Sequence, residues 1–144
     1  MADRQEWLSL LATSDPQILA VLWADTGLAP DYVILRKAET GSVMVRGRAG
    51  SVGKAFNFGE MTVTRASLRL ADGTVGHGWS QGRDRKQAET AALLDALMQG
   101  PDATKLEAAV FKPLRDARTG RRRSRSERAA ATKVDFFTMA RGDG

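Results

Sequence analysis

The sequence contains no cysteine. That absence removes disulfide frameworks, thiolate nucleophiles, cysteine-type zinc sites and iron–sulfur clusters, and it fits a reducing compartment. Histidine is almost as scarce, since His77 stands alone. A histidine-ligated metal site therefore lacks ligands. A Ser–His–Asp triad would have to be built around that one residue, yet no serine sits in a Gly-x-Ser-x-Gly elbow. Between Val75 and Trp79 on an alternating segment, His77 reads as a packing residue. Long apolar runs are missing too. Nothing approaches the ~18–20 residues needed to cross a bilayer, and Met1–Glu6 carries mixed charge where a secretory leader would have its apolar core. The expectation is a cytoplasmic chain with no catalytic residue, no metal set and no cofactor site of its own.

What is present is a core and one concentrated charge. With 144 residues and 42% hydrophobic content, the chain is the size of one domain and can bury a core. The net charge of +5 is localised. Residues 115–133 hold 8 basic side chains and 2 acidic ones, a net +6 that leaves the remainder at −1. The body is neutral.

Period and punctuation divide the chain into 1–29 (helices), 31–81 (antiparallel sheet), 84–114 (helices), 115–133 (basic connector) and 134–144 (apolar tail). Asp3–Ala12 has helical spacing. A second helix opens either with a Ser14 capping box closing on Gln17 or with Asp15 as cap and Pro16 at the first position. Ile18, Leu19, Leu22 and Trp23 form its apolar stripe, and Gly27 and Pro30 stop it. From Tyr32 the period becomes two, predicting strands over Tyr32–Lys37 and Val43–Arg48 with a turn at Glu39–Ser42. Glu60–Leu70 reads as a longer strand whose apolar parity changes, which predicts a bulge near Thr64–Arg65. Asp72-Gly73 is a strong hairpin signal. In the returning strand, Gly76, Gly78 and Ser80 share one face and leave room for a backbone or a ligand.

Asp84, with Gln87 three residues on, opens a helix whose buried stripe is Leu93, Leu94, Leu97 and Met98. Leu106, Val110 and Leu114 suggest another that Pro113 interrupts. The basic stretch reads as extended or marginally helical, and the tail Val134–Met139 as extended. The fold class is α+β: an antiparallel meander of about four strands with helices packed on it.

Gly47–Ala55 invites a phosphate-loop reading and fails it. The Gly-to-Gly-Lys spacing is one residue too long, Ala55 replaces the metal-binding hydroxyl, and no helix opens behind it. A Gly-rich β-connection (Gly47, Gly50, Gly53) is the expectation. The remaining candidates are arginines near strand ends and helix starts: Arg46, Arg48, Arg65, Arg83 and Arg141. Arg65 flanks the expected bulge and Arg83 precedes a helix N-terminus, so these two are the candidate phosphate contacts. The plain alternative is that they are solvated or paired with Glu60, Asp84 or Asp135.

Four blocks recur together: Ala38–Gly41 with the strand after it; Gly59–Arg65; Gly82-Arg83-Asp84 leading through Ala88-Glu89 to Asp95–Gln99; and Val134–Gly142. In this order the chain resembles the PhnG family, subunits of the bacterial carbon–phosphorus lyase system. The resemblance implies a role, with PhnI-, PhnH- and PhnL-like proteins, in transferring a ribose 5-triphosphate unit from ATP onto an alkylphosphonate such as methylphosphonate, releasing adenine. It implies a core complex with PhnH-, PhnI- and PhnJ-like subunits, in which PhnI carries the nucleosidase chemistry and PhnJ the iron–sulfur radical step. It carries over no catalytic residue. Gln87 and Ala66 stand where family members can carry histidine and cysteine, so neither position is indispensable to chemistry in a functional chain.

The tail carries the expected partner interface. Phe136 and Phe137 point to opposite sides of any extended segment, so burying both takes two faces, and Met139 and Arg141 extend the surface. Two other readings compete. One is a nucleic-acid-binding protein using Arg121-Arg122-Arg123-Ser124-Arg125 as a basic arm. Against it stand the neutral body and the lack of an aromatic in the run. The other is a self-sufficient transferase with an anion pocket of Glu60, Arg65 and Arg83.

Overall fold

A computed structural model describes the backbone of residues 3–49 and 54–142, and the side chains of residues 3–44 and 59–131. Its order is α1 (Arg4–Ala12), α2 (Pro16–Asp25), β1 (Tyr32–Ala49), β2 (Lys54–Leu70), β3 (Val75–Gln81), α3 (Arg85–Met98), α4 (Ala103–Leu106) and α5 (Lys112–Gly142). The three strands form one antiparallel sheet in the order β1-β2-β3. Helix α3 lies on one face of it. The fold is α+β, as the alternation of helical and period-two segments predicts.

The local signals explain the ends of the elements. Asp3 accepts from the Glu6 N–H to cap α1. Of the two openings for α2, the Asp15 cap with Pro16 behind it is the one formed. Gly27 (φ 70°) ends α2, and Gly73 (φ 95°) makes the Asp72-Gly73 turn. There Asp72 accepts the Thr74 N–H at 2.9 Å, which holds its carboxyl below the usual range. Asp84 caps α3 through the Gln87 N–H.

Helix α3 packs closely on the sheet. Gly76 and Gly78 sit beneath it, and a Cβ on either would collide with backbone atoms of Ala88, Ala91, Ala92 or Ala96. The small face of β3 therefore admits a helix backbone, not a ligand. Ala66 and Leu68 of β2 meet Leu93, Leu94, Leu97, Leu106, Val110, Phe111 and Leu114 in one core. Full burial of a side chain such as Leu68 or Phe111 is worth roughly 1.5–3 kcal/mol.

Two buried polar side chains lock α1 onto this core. Asp95, wholly buried on α3, accepts from Arg4 Nε (3.0 Å) and Nη2 (2.8 Å), from Trp7 Nε1 (2.8 Å) and from the His77 backbone N–H (2.8 Å). Each carboxylate oxygen thus has two donors, and the Arg4 fork is bidentate. The Asp95 hydrogen bonds raise the Arg4 guanidinium above its ordinary value. Gln87, also buried, donates through Nε2 to the carbonyls of Leu11 (3.1 Å) and Ser14 (2.9 Å), supplying a donor to the α1 C-terminus.

Four expectations need correction. The predicted turn at Glu39–Ser42 is strand: β1 runs for 18 residues against β2, so the meander has three strands, two of them long. Turn-prone residues yield here to a continuous ladder. The bulge expected at Thr64–Arg65 is absent, since β2 pairs with β3 without a shift from Val63 to Arg69. The extra residues lie opposite, in β1 between Ile34 and Glu39, and again in β2 near Gly59 (φ 136°). The parity of β2 changes because Val63 and Thr64 are both buried, on opposite faces.

The other two corrections concern the C-terminal half. Pro113 does not interrupt a helix. A π-helical turn, Glu107–Phe111, precedes it and the chain continues as α5; widening the turn accommodates the donor that proline lacks. Of the two readings of the basic stretch the helical one is formed, and the helix continues through the tail, which is therefore not extended. The side chains of Phe136, Phe137, Met139 and Arg141 lie outside the described residues, as do Gly50 and Gly53 of the Gly-rich connection.

Asp95→Ala strands the Trp7 indole and the His77 amide without a partner. It should lower the unfolding free energy by about 3–5 kcal/mol, read from urea denaturation.

Candidate functional site

Helices cover one face of the sheet; the other face, built by residues alternating with the core positions, holds the polar groups. Residues directly opposite in an antiparallel pair share a face, so the register assigns it row by row. Val33, Arg69 and Val75 form one row, Arg36, Ser67 and His77 the next, and Glu39, Arg65 and Trp79 the third. Gly41, Val63 and Gln81 follow.

The extra residues of β1 place Arg36 in this set. Ile34 pairs with Leu68, on the core side, and a regular strand would keep Arg36 on that side as well. The shift after Ile34 brings Arg36 opposite Ser67 instead, moving it to the outer face.

Two hollows open on this face, and Arg36 and Arg65 line both. One, of about 180 Å³, is completed by Leu8, Ala66, Ser67, His77, Gly78 and Trp79. The other, of about 190 Å³, holds Glu39, Thr40, Gly41, Ser42, Val43 and Val63. Ser67 Oγ and His77 Nδ1 are 2.9 Å apart. No carboxylate lines the hollow with them, so the pair lacks the third group that would orient an imidazole as a base. It is a cross-strand hydrogen bond. His77 is exposed on this face, not packed in the core as its flanking residues suggested.

The residues lining the first hollow carry two guanidinium groups, a hydroxyl, an imidazole and the indole of Trp79. Guanidinium forks match the oxygens of phosphate-type anions. The ion pairs among the described residues join Arg4 to Asp95 and Arg115 to Glu6 and Glu107; neither Arg36 nor Arg65 takes part. The Arg115 guanidinium is held above its ordinary value by Glu6 and then Glu107.

The other candidate lies elsewhere. Arg83 is exposed on the Gly82-Arg83-Asp84 connection, past the end of β3. It lines neither hollow with Arg65. The α3 N-terminus beside it is already occupied by the Asp84 carboxylate. Glu60 pairs with Met44 further along β2 and lines neither hollow either, so the Glu60–Arg65–Arg83 pocket does not form there. Sequence reasoning singled out Arg65 and not Arg36, which lines the same two hollows. The only signal for Arg36 was the strand register, which depends on bulges that local patterning does not reveal.

Comparison with known proteins places the chain. A family model described as phosphonate metabolism protein PhnG matches residues 2–142. The chain is similar to the alpha-D-ribose 1-methylphosphonate 5-triphosphate synthase subunit PhnG of Rhizobium meliloti (strain 1021). The two are 41% identical over 143 residues, covering 99% of this chain and 92% of the relative.

The geometry of the outer face leads to one prediction. Inorganic tripolyphosphate should alter the fluorescence of Trp79, identified by loss of the signal in Trp79→Phe. The double substitution Arg36→Ala/Arg65→Ala should weaken that binding by about tenfold or more, the consequence of losing charged hydrogen bonds.

Proposed function

The chain belongs to the PhnG family, and from that membership we propose that it is an accessory subunit of an assembly making alpha-D-ribose 1-methylphosphonate 5-triphosphate. The substrates are ATP and methylphosphonate, and adenine leaves. The observation that carries this reading is the near full-length likeness to a subunit of that synthase. In this reading PhnI-, PhnH- and PhnJ-like chains are its companions, a PhnL-like protein joins the reaction, and the setting is the cytoplasm. Among the described residues no helix is long and apolar enough to cross a membrane.

Residue chemistry supports an accessory role. The chain has no cysteine and one histidine, and that histidine's ring faces a serine in a hollow without a carboxylate. Such a surface can hold and orient an anion, whereas cleaving a glycosidic bond needs a positioned base or nucleophile. We assign Arg65 and Arg36 to the phosphate chain of the nucleotide or its product. Arg83 is a separate phosphate contact, completed by a companion chain.

A second surface fits a subunit. Strand β1 is a sheet edge, and its Tyr32, Val33, Ile34 and Leu35 are 37%, 56%, 41% and 51% exposed. Soluble chains that work alone protect such edges with charge, proline or a covering segment. The opposite edge shows that protection: Asp95 takes the His77 N–H and Gln99 Nε2 donates to the Val75 carbonyl. The partner interface also includes Phe136, Phe137, Met139 and Arg141 at the end of α5.

Two measurements test the assignment. The chain alone should release no adenine from ATP and methylphosphonate, while its addition to PhnI-, PhnH- and PhnL-like proteins should restore release. Turnover by the isolated chain, or full turnover without it, refutes the accessory role. Replacing Phe136 and Phe137 together by alanine should reduce co-purification with a PhnI-like subunit severalfold, and unchanged recovery removes the tail from the interface.

A further inference from the structure

The basic run lines neither hollow of the outer face. Arg118, Arg121, Arg122, Arg125 and Arg128 all line one groove, of about 960 Å³, between α5 and the corner formed by α1 and α2. At 100° per residue these five fall within about 120° of helix arc. The two carboxylates of the same stretch, Asp116 and Glu127, fall on the opposite side by the same count. Five of the arginines thus share one face, away from these two carboxylates, while Arg123 falls on the carboxylate side by the same count. None of the five takes part in the ion pairs among the described residues.

The facing wall supplies no counter-charge. It consists of Ser9 and Thr13 from α1, Ile18 from α2 and Gln81 from the end of β3. Gly120 lies beside the arginines in the same groove, and a Cβ there would meet nothing within 4 Å. A mid-helix glycine weakens a helix relative to alanine, and no packing within this chain requires it. Its position leaves room for close approach from outside.

We propose that this groove docks an acidic segment of a companion protein subunit. The inference rests on the accessory-subunit reading and extends it to a second surface. Charge complementarity selects the occupant, because five guanidinium groups with no ion pair among the described residues, facing neutral side chains, call for carboxylates from another chain. From Arg118 to Arg128 the arginines span about 15 Å of helix, a length suited to a polypeptide segment and too long for one phosphate group. Ile18, 39% exposed, adds an apolar contact that a protein segment can cover. Nucleic acid fits less well: no aromatic side chain lines the groove for stacking, and the rest of the chain carries a net −1.

The test uses the full-length chain with its companion subunits, and circular dichroism verifies that each variant is folded. Arg118→Glu/Arg122→Glu/Arg125→Glu should lower affinity for the companion subunits at least tenfold. The corresponding triple lysine variant should stay close to the wild-type value. Raising salt from about 50 to 500 mM should weaken wild-type association. Gly120→Leu, which keeps every charge, should weaken it as well and gives a second variant if the reversal disturbs α5. Assembly of the glutamate variant at wild-type affinity overturns the proposal. So does loss of duplex DNA binding in that variant with assembly intact. Failure of the accessory-subunit reading looks different: the wild-type chain then does not associate at all, and the proposal falls with it.

Discussion

The buried carboxylate of Asp95 is the contact on which the arrangement turns. A carboxylate at zero exposure carries a desolvation cost of several kcal/mol unless its lone pairs are all engaged. Here four donors arrive from two other elements, Arg4 and Trp7 of α1 and the His77 amide of β3. Each donor arrives only when α1, α3 and β3 are mutually placed, so the energetic requirement of one side chain specifies the geometry of three elements. Gln87, about two turns earlier on α3, does the same for the end of α1. The apolar core supplies most of the stabilisation, and these two residues determine which packing it adopts.

That lock has a consequence for the surface. By taking the His77 N–H, Asp95 closes the free edge of β3, and Gln99 adds to it at Val75. Strand β1 receives no such cover among the described residues, and its exposed apolar side chains line the open edge. With α3 on one face of the sheet, the other face carries Arg36, Arg65, Ser67 and His77, with Leu8 of α1 at the hollow they line. The chain therefore satisfies its polar groups inward and leaves donors available outward, a distribution suited to binding anions or partners.

Much of the fold was legible because its signals are local. Asp15-Pro16, Gly27, Asp72-Gly73 and Asp84 mark turns and caps through their own backbone preferences, and each forms the expected feature. The apolar periods that marked Leu93–Met98 and Leu106–Leu114 are buried where expected. What was not legible depends on partners distant in sequence. Glu39–Ser42 has turn chemistry, but its residues pair one by one with Arg65–Thr62, and the ladder outweighs the local preference. Asp95 reads as an ordinary polar residue in a helix, since its donors lie 88 to 91 residues away in α1 and 18 away in β3. Pro113 reads as a helix stop because a π-turn leaves no local trace.

The candidate site shows the same division. Arg65 was identifiable as a cation on a strand of changing parity, although the cause lay in the neighbouring strand. Arg36 reached the outer face only through extra residues in β1, and a shift of one residue is sufficient to invert a side chain. The basic run was visible as composition, but the alignment of five of its arginines on one side of α5 required knowing that the stretch is helical. In both cases the sequence revealed which residues carry charge, and long-range pairing or helix phase decided where that charge points. A subunit that supplies surfaces to a reaction depends on this second property. Moving a guanidinium from one face to another leaves composition and net charge unchanged, yet it alters which anion or carboxylate the chain can meet.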